Sequence, residues 1–147
     1  MELKDLYRDV ILDHNRQPRN YGSLDGSNAH ALGHNPLCGD RLALYLRMRD
    51  DKVEDVRFEG AGCAISTAST SMMTEAIKGK DRATIGQLFE KVHRLLTQSD
   101  APPAPELGKL AALSGVREFP MRVKCATLCW HTLNAALEQS ATTVSTE

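Results

Sequence analysis

A chain of 147 residues is long enough for one domain with an apolar core of useful size. Hydrophobic residues make up 41%, charged residues 25%, and the net charge is −1, so charge gives no reason to expect nucleic acid or an anionic membrane as partner. No apolar run approaches the roughly 20 residues of a membrane helix. Met1-Glu2-Leu3-Lys4-Asp5 lacks the apolar stretch of a secretory leader, so a cytoplasmic protein is expected. In that compartment four cysteines point to ligands or reactive thiols rather than disulfides.

In chain order, Leu3, Leu6, Tyr7, Val10 and Ile11 recur at helical spacing and predict an amphipathic helix from Glu2 to about Asn15. Arg16 to Gly26, with Pro18, Gly22 and Gly26, is loop. His30 to His34 is a short strand. Arg41 to Arg49 alternates, with Leu42, Leu44, Leu46 and Met48 on one face and Arg41, Arg47 and Arg49 on the other. That pattern predicts a half-buried antiparallel strand. Asp50-Asp51-Lys52 makes a tight turn, and Val53 to Glu59 returns with Val56 and Phe58 inward.

Ala64 to Ile77 carries small residues and no proline or glycine, and Gly79 follows as a helix stop, so a helix is expected. Its Ser/Thr density lowers helix propensity, so it must rely on tight packing. Thr84-Ile85-Gly86-Gln87 resembles a capping box and opens a helix bearing Leu88, Phe89, Val92, Leu95 and Leu96. A Pro-rich connection from Asp100 to Pro105 leads to a short helix, Leu107 to Ser114, stopped by Gly115. The last helix runs from Met121 or Arg122 to about Gln139. One domain over residues 1–139 and a polar, disordered tail over 140–147 are expected.

The chemistry gathers around Asn35-Pro36-Leu37-Cys38-Gly39-Asp40. Pro36 and Gly39 favour a sharp turn that lets Cys38 and Asp40 point at one place. The hairpin of Arg41–Arg49 and Val53–Glu59 has Cys38 at its entrance and Cys63 just after its exit. Antiparallel pairing therefore brings Cys38, Asp40 and Cys63 to one edge. Cys63 precedes a helix N-terminus, and Cys125 sits near the N-terminal end of the last helix beside Lys124; both settings favour a thiolate. Cys38, Asp40, Cys63 and Cys125 make a three-sulfur, one-oxygen set suited to zinc or to an iron–sulfur cluster. Against this stands the plainer reading of Cys63 and Cys125 as small buried hydrophobes. Cys129, four residues after Cys125, is either a replacement for Asp40 as fourth ligand or simply core. His34 is a candidate neighbour of the site, while His14, His93 and His131 belong to helices.

Three motifs carry a resemblance. Asn35-Pro36-Leu37-Cys38-Gly39-Asp40, Phe58-Glu59-Gly60-Ala61-Gly62-Cys63-Ala64-Ile65-Ser66 and Lys124-Cys125-Ala126-Thr127-Leu128 stand in the order seen in the IscU/NifU-N-terminal family of iron–sulfur assembly proteins. The likeness starts at Leu6-Tyr7, includes Pro18-Arg19-Asn20-Tyr21-Gly22 and reaches about Leu137. Within the family the chain resembles the SufU branch: Lys124 stands where IscU proteins have histidine, Phe119 to Lys124 does not match their chaperone-read segment, and the stretch from Ala101 to Gly115 looks like a SufU insert.

The resemblance implies an α+β fold, a small antiparallel sheet of about three strands with helices on one face. It implies a zinc held by Cys38, Asp40, Cys63 and Cys125, and a pyridoxal-phosphate cysteine desulfurase as partner. Three functions compete. In the first, the protein is a zinc-dependent sulfur acceptor that takes persulfide sulfur from the desulfurase on Cys38, for downstream assembly proteins. In the second, the same ligands, Cys38, Cys63 and Cys125 as the sulfurs and Asp40 as the oxygen, hold a transient [2Fe–2S] cluster that passes to apo iron–sulfur proteins. In the third, the zinc is purely structural in an interaction module.

Overall fold

A computed structural model describes residues 3–36, 39–98, 105–116, 119–138 and 144–145. Alternation, broken once, builds the sheet. In β2 (Asp40–Arg49) the inward Leu42, Leu44 and Leu46 are buried, and in β3 (Lys52–Ala61) so are Val53, Val56 and Phe58. The two pair antiparallel, from Arg41 opposite Ala61 to Arg49 opposite Lys52. The turn is shorter than expected. Lys52 already belongs to β3, leaving Asp50 and Asp51 with φ of 51° and 67°. Positive φ at both central residues is what a two-residue hairpin turn requires, and aspartate tolerates it better than most side chains. The register shifts between Arg47 and Met48, and Met48 beyond the irregularity is only half-buried instead of fully inward.

β1 (Ala29–Asn35) is one residue longer at each end than the expected strand. It pairs antiparallel with β2, Ala29 opposite Leu46 and Asn35 opposite Asp40. Val144–Ser145 form β4, parallel to β1 at Gly33 and His34, giving the order β3-β2-β1-β4. The rest of the stretch from 139 onward lies outside the described residues.

Helices cover one face of the sheet. Among the described residues they are α1 (Leu3–Arg16), α2 (Ala64–Ile77), α3 (Arg82–Thr97), a 3-10 segment (Pro105–Val116) and α4 (Pro120–Leu137). α4 crosses β1 and β2, while α2 packs against α1, α4 and β3. Gly33 permits the close crossing: a Cβ there would collide with Thr132 Oγ1 and press on Leu128. The opposite face of the sheet is open, with Leu32 51% exposed.

The Ser/Thr-rich α2 is buried on nearly every side, and its hydroxyls bond to its neighbours. Ser69 Oγ donates to Ala126 O of α4 at 2.7 Å. Ser71 Oγ bonds His14 Nδ1 of α1 at 2.8 Å and accepts from Arg19 N at 2.8 Å. Thr74 Oγ1 accepts from Asn20 Nδ2 at 3.0 Å. These bonds replace water for buried hydroxyls and so offset the low propensity of the segment. Gly79, at φ 83°, ends the helix as expected, and its N–H reaches Val53 O at 2.7 Å.

Three boundaries differ from expectation. The cap of α3 is Asp81, whose carboxylate accepts from Thr84 N at 2.8 Å, so Thr84 is the third helical residue and not the cap. Aspartate outcompetes threonine at this position because a charged acceptor also meets the helix dipole. The segment expected as a short α-helix is 3-10, kinks at Gly108 (φ 52°) and continues past Gly115 to Val116. α4 begins at Pro120, since proline loses nothing at a first helical position. Among the described residues no helix is long and apolar enough to cross a membrane.

Candidate metal centre

Asn35, Asp40 and Gly62 lie at one end of the sheet, where β1, β2 and the exit of β3 meet. Asn35 and Asp40 face each other across the β1–β2 pair, and both are fully buried on the helix-covered side. Gly60 and Gly62 let the exit of β3 close on β2. A Cβ on Gly60 would strike Arg41 O, and one on Gly62 would stand 2.5 Å from Asp40 Oδ1. With no side chain in the way, the Cys63 N–H donates to Asp40 Oδ1 at 2.8 Å. Tyr21, packed edge-on against Phe58, holds the same turn by donating its hydroxyl to Gly60 O at 3.1 Å.

Cys63 is the N-cap of α2, with extended backbone (φ −72°, ψ 167°), and its Sγ accepts from Ser66 N at 3.4 Å. The side chain therefore does the work of a capping group, taking up one of the amides that the first turn of α2 leaves without an intrahelical partner. Cys125 comes from α4 and is buried at 2% exposure. It lies in the second turn, five residues after Pro120, so it sits past the free amides that the sequence suggested would favour its thiolate. Its Sγ instead accepts from the side-chain amide of Asn35 at 3.6 Å. That same Nδ2 lies 3.4 Å from Asp40 Oδ2.

The outcome is a cluster in which one ligand atom each from Asp40, Cys63 and Cys125 lie within 4.8 Å of one another. Two sulfurs and a carboxylate oxygen at that separation suit zinc, which accepts mixed Cys/Asp sets. Cys38, the remaining member of the expected set, lies outside the described residues.

Cys129 is not in this cluster. It is 1% exposed, its Sγ is 3.5 Å from Ser69 Oγ, and burial pushes its thiol up to about 11, against weaker pulls from Ser69 and Thr70. It is a core residue with an inert thiol. His34 also falls away from the site. It lies next to Asn35 in an alternating strand and lines a groove on the open face with Leu32, Arg41, Tyr45 and Glu59. Asn35 and Gly62 were the residues sequence reasoning passed over. The signal for Asn35 was present: Ala29, Ala31, Gly33 and Asn35 share the inward parity, and a polar residue at the end of such a row needs a buried partner.

A small antiparallel sheet backed by helices, with thiols and a carboxylate meeting at its end, is the architecture of a thiolate metal centre. The chain belongs to the NifU-like N-terminal domain family, whose profile matches residues 6–139. It is 47% identical over 131 residues to the zinc-dependent sulfurtransferase SufU of Bacillus subtilis (strain 168), covering 89% of this chain and 88% of that protein. It is 42% identical over 140 residues to the iron–sulfur cluster assembly scaffold protein IscU of Streptococcus pyogenes serotype M1, covering 95% and 87%. The crystal structure of the N-terminal part of a NifU-like protein from Brucella abortus superposes with a TM-score of 0.84 at 26% identity, over 92% of this chain and 94% of the other.

Proposed function

We propose that this protein is a zinc-dependent sulfur acceptor in iron–sulfur cluster assembly, with Cys38, Asp40, Cys63 and Cys125 as its metal ligands. The observation that carries the reading is the convergence of Asp40, Cys63 and Cys125 within 4.8 Å. Cys38 is two residues from Asp40 in the chain, a span of at most about 7 Å, so it is tethered to the same place. When bound, zinc would keep the thiols deprotonated and tie three remote segments together.

The acceptor is Cys38. Cys63 caps a helix and Cys125 is buried and bonded to Asn35, so both are fixed as ligands. The donor is the persulfide of a pyridoxal-phosphate cysteine desulfurase. The Cys38 thiolate attacks the outer persulfide sulfur, the bond between the two desulfurase sulfurs breaks, and the desulfurase cysteine leaves as a thiolate. The proton stays on the transferred sulfur, and no external oxidant or reductant is needed. The sulfur then passes to downstream assembly proteins or apo iron–sulfur proteins, and the setting is the cytoplasm.

The scaffold reading uses the same side chains and is supported by the IscU likeness. An oxygen ligand at Asp40 should make a [2Fe–2S] cluster more labile than four thiolates would. Metal analysis of anaerobically purified protein separates the two. Colourless protein with one zinc per chain supports transfer, and brown protein with iron and sulfide overturns it. Mass spectrometry after incubation with desulfurase and cysteine then locates the added sulfur. The expected result is a persulfide on the Cys38 peptide, absent in Cys38→Ser; persulfide only on the Cys125 peptide would move the acceptor to α4.

A further inference from the structure

We infer that Asn35 is a positioning residue of the metal centre, its side-chain amide holding Asp40 and Cys125 in ligand geometry. The inference rests on the metal-binding half of the proposed function and not on sulfur transfer. Asn35 is fully buried, and its Nδ2 lies 3.4 Å from Asp40 Oδ2 and 3.6 Å from Cys125 Sγ. An amide nitrogen carries two protons and can serve both acceptors at once.

The placement explains why a neutral donor stands there. Asp40 Oδ1 accepts from the Cys63 N–H and Oδ2 lies toward the Asn35 amide, so each carboxylate oxygen is oriented by its own donor. Asp40 and Cys125 both carry negative charge when deprotonated, and each is buried. Without a donor between them they would repel across a short gap in a low-dielectric interior. A lysine or arginine would neutralise them too well and compete with a cation for the site. Asparagine supplies two N–H dipoles and no net charge, so it orders the pair and leaves their charge for the metal. It also links elements 90 residues apart, β1 with α4, at the point where the ligands meet. Partners of this kind, bonded to ligands and not to the metal, typically set metal affinity by 10–100-fold.

The test compares Asn35→Ala with Asn35→Leu, which keeps the branched skeleton, fills the space at least as fully and cannot donate. Zinc affinity is measured by competition with a chromophoric chelator, and circular dichroism of the metal-free proteins checks the fold. Both variants should bind zinc about 10–100-fold more weakly than the parent. If leucine restores parental affinity, Asn35 only fills space and the inference is wrong. Cobalt loading gives a second readout: losing a hydrogen bond to a ligand sulfur should move the sulfur-to-cobalt absorption band to longer wavelength in both variants. Should either variant fail to fold, the parent still decides. Zinc addition must shift the Asn35 side-chain amide resonances in a nitrogen–proton NMR spectrum, and resonances that stay put overturn the inference. A parent that binds neither zinc nor cobalt defeats the metal reading itself, a result distinct from a parent that binds beside variants that bind equally well.

Discussion

The backbone N–H of Cys63 donates to Asp40 Oδ1 at 2.8 Å, so one expected ligand residue orients the side chain of another. Asp40→Ala removes a proposed ligand and leaves that N–H without its acceptor. The metal-free variant should lose about 1–3 kcal/mol in urea unfolding. Asp40→Asn keeps an oxygen for the N–H and should recover most of the stability, yet neither variant should retain zinc through dialysis as the parent does. Cys129→Ser, outside the cluster, should keep the metal. Zinc lost from Cys129→Ser but held by Asp40→Ala would show that the ligand set is four cysteines.

Gly62 should be intolerant for a reason unrelated to its φ. An added methyl would stand 2.5 Å from Asp40 Oδ1 and 3.2 Å from Asp40 Cα, so either the carboxylate or the β3 exit must move. Gly62→Ala is expected to weaken zinc binding at least tenfold while the helices stay folded, as seen by far-ultraviolet circular dichroism. Gly86 is the control. It lies in α3, where an added methyl would meet nothing within 4 Å, so Gly86→Ala should stabilise by about 0.5–1 kcal/mol and leave zinc affinity alone. Equal zinc affinity in both variants would rule out the steric account of the β3 exit.

Acid should release a charge cluster at Asp55, away along the sheet from the Asp40–Cys63–Cys125 group. Burial raises the Asp55 carboxyl, but the Lys78 ammonium at 3.1 Å, the Val56 N–H at 2.9 Å and the Arg57 guanidinium at 2.8 Å together outweigh it and hold it below the usual 3.8. The folded state therefore binds the proton less readily than the unfolded chain. This stabilisation is fully present above pH 3.8 and is lost as pH falls through the lowered folded value. Asp55→Asn should destabilise by about 1 kcal/mol near neutrality, and the gap from the parent should close toward pH 2. A gap that is constant across urea titrations from pH 2 to 7 would contradict the assignment.

Much of this molecule was legible from residue order because its strongest signals are local. Alternation in Leu42, Leu44 and Leu46 specified β2, and the stop at Gly79 specified the end of α2. Antiparallel pairing then brought Asp40 and Cys63 together as expected, because a hairpin fixes its own ends. What was not legible depends on three-dimensional competition. Asp81 and Thr84 are both acceptable caps by residue type, and spacing alone does not show that the charged acceptor at Asp81 takes the Thr84 N–H. The kink at Gly108 uses a positive φ that glycine permits, but the spacing of Leu107, Leu110 and Leu113 reads equally well as an unbroken helix. Cys125 and Cys129 share one helix face in sequence, yet they meet different partners, Cys129 packing against Ser69 of α2 and Cys125 facing Asn35 of β1.

Metal removal tests the centre as a structural element. Its expected ligands come from the turn into β2 and that strand's first residue, from the cap of α2 and from the second turn of α4, and Cys125 follows Cys63 by 62 positions. A ligand that binds only the folded state stabilises it by RT ln(1 + [L]/Kd), about 4.1 kcal/mol when free zinc is a thousand times its Kd. For a domain of this size each kcal/mol moves the melting temperature by about 2–4 °C, so stripping the zinc should lower it by about 10 °C. The effect should shrink as pH falls, because zinc must then displace protons from the thiols. Calorimetry of parent protein with and without a strong chelator, at pH 8 and pH 6, reads both quantities. Superimposable melting curves after verified zinc loss would mean that the packing of α4 over β1 and β2 holds the ligand segments in place unaided. Asp40, Cys63 and Cys125 would then form a preorganised site whose metal serves chemistry alone.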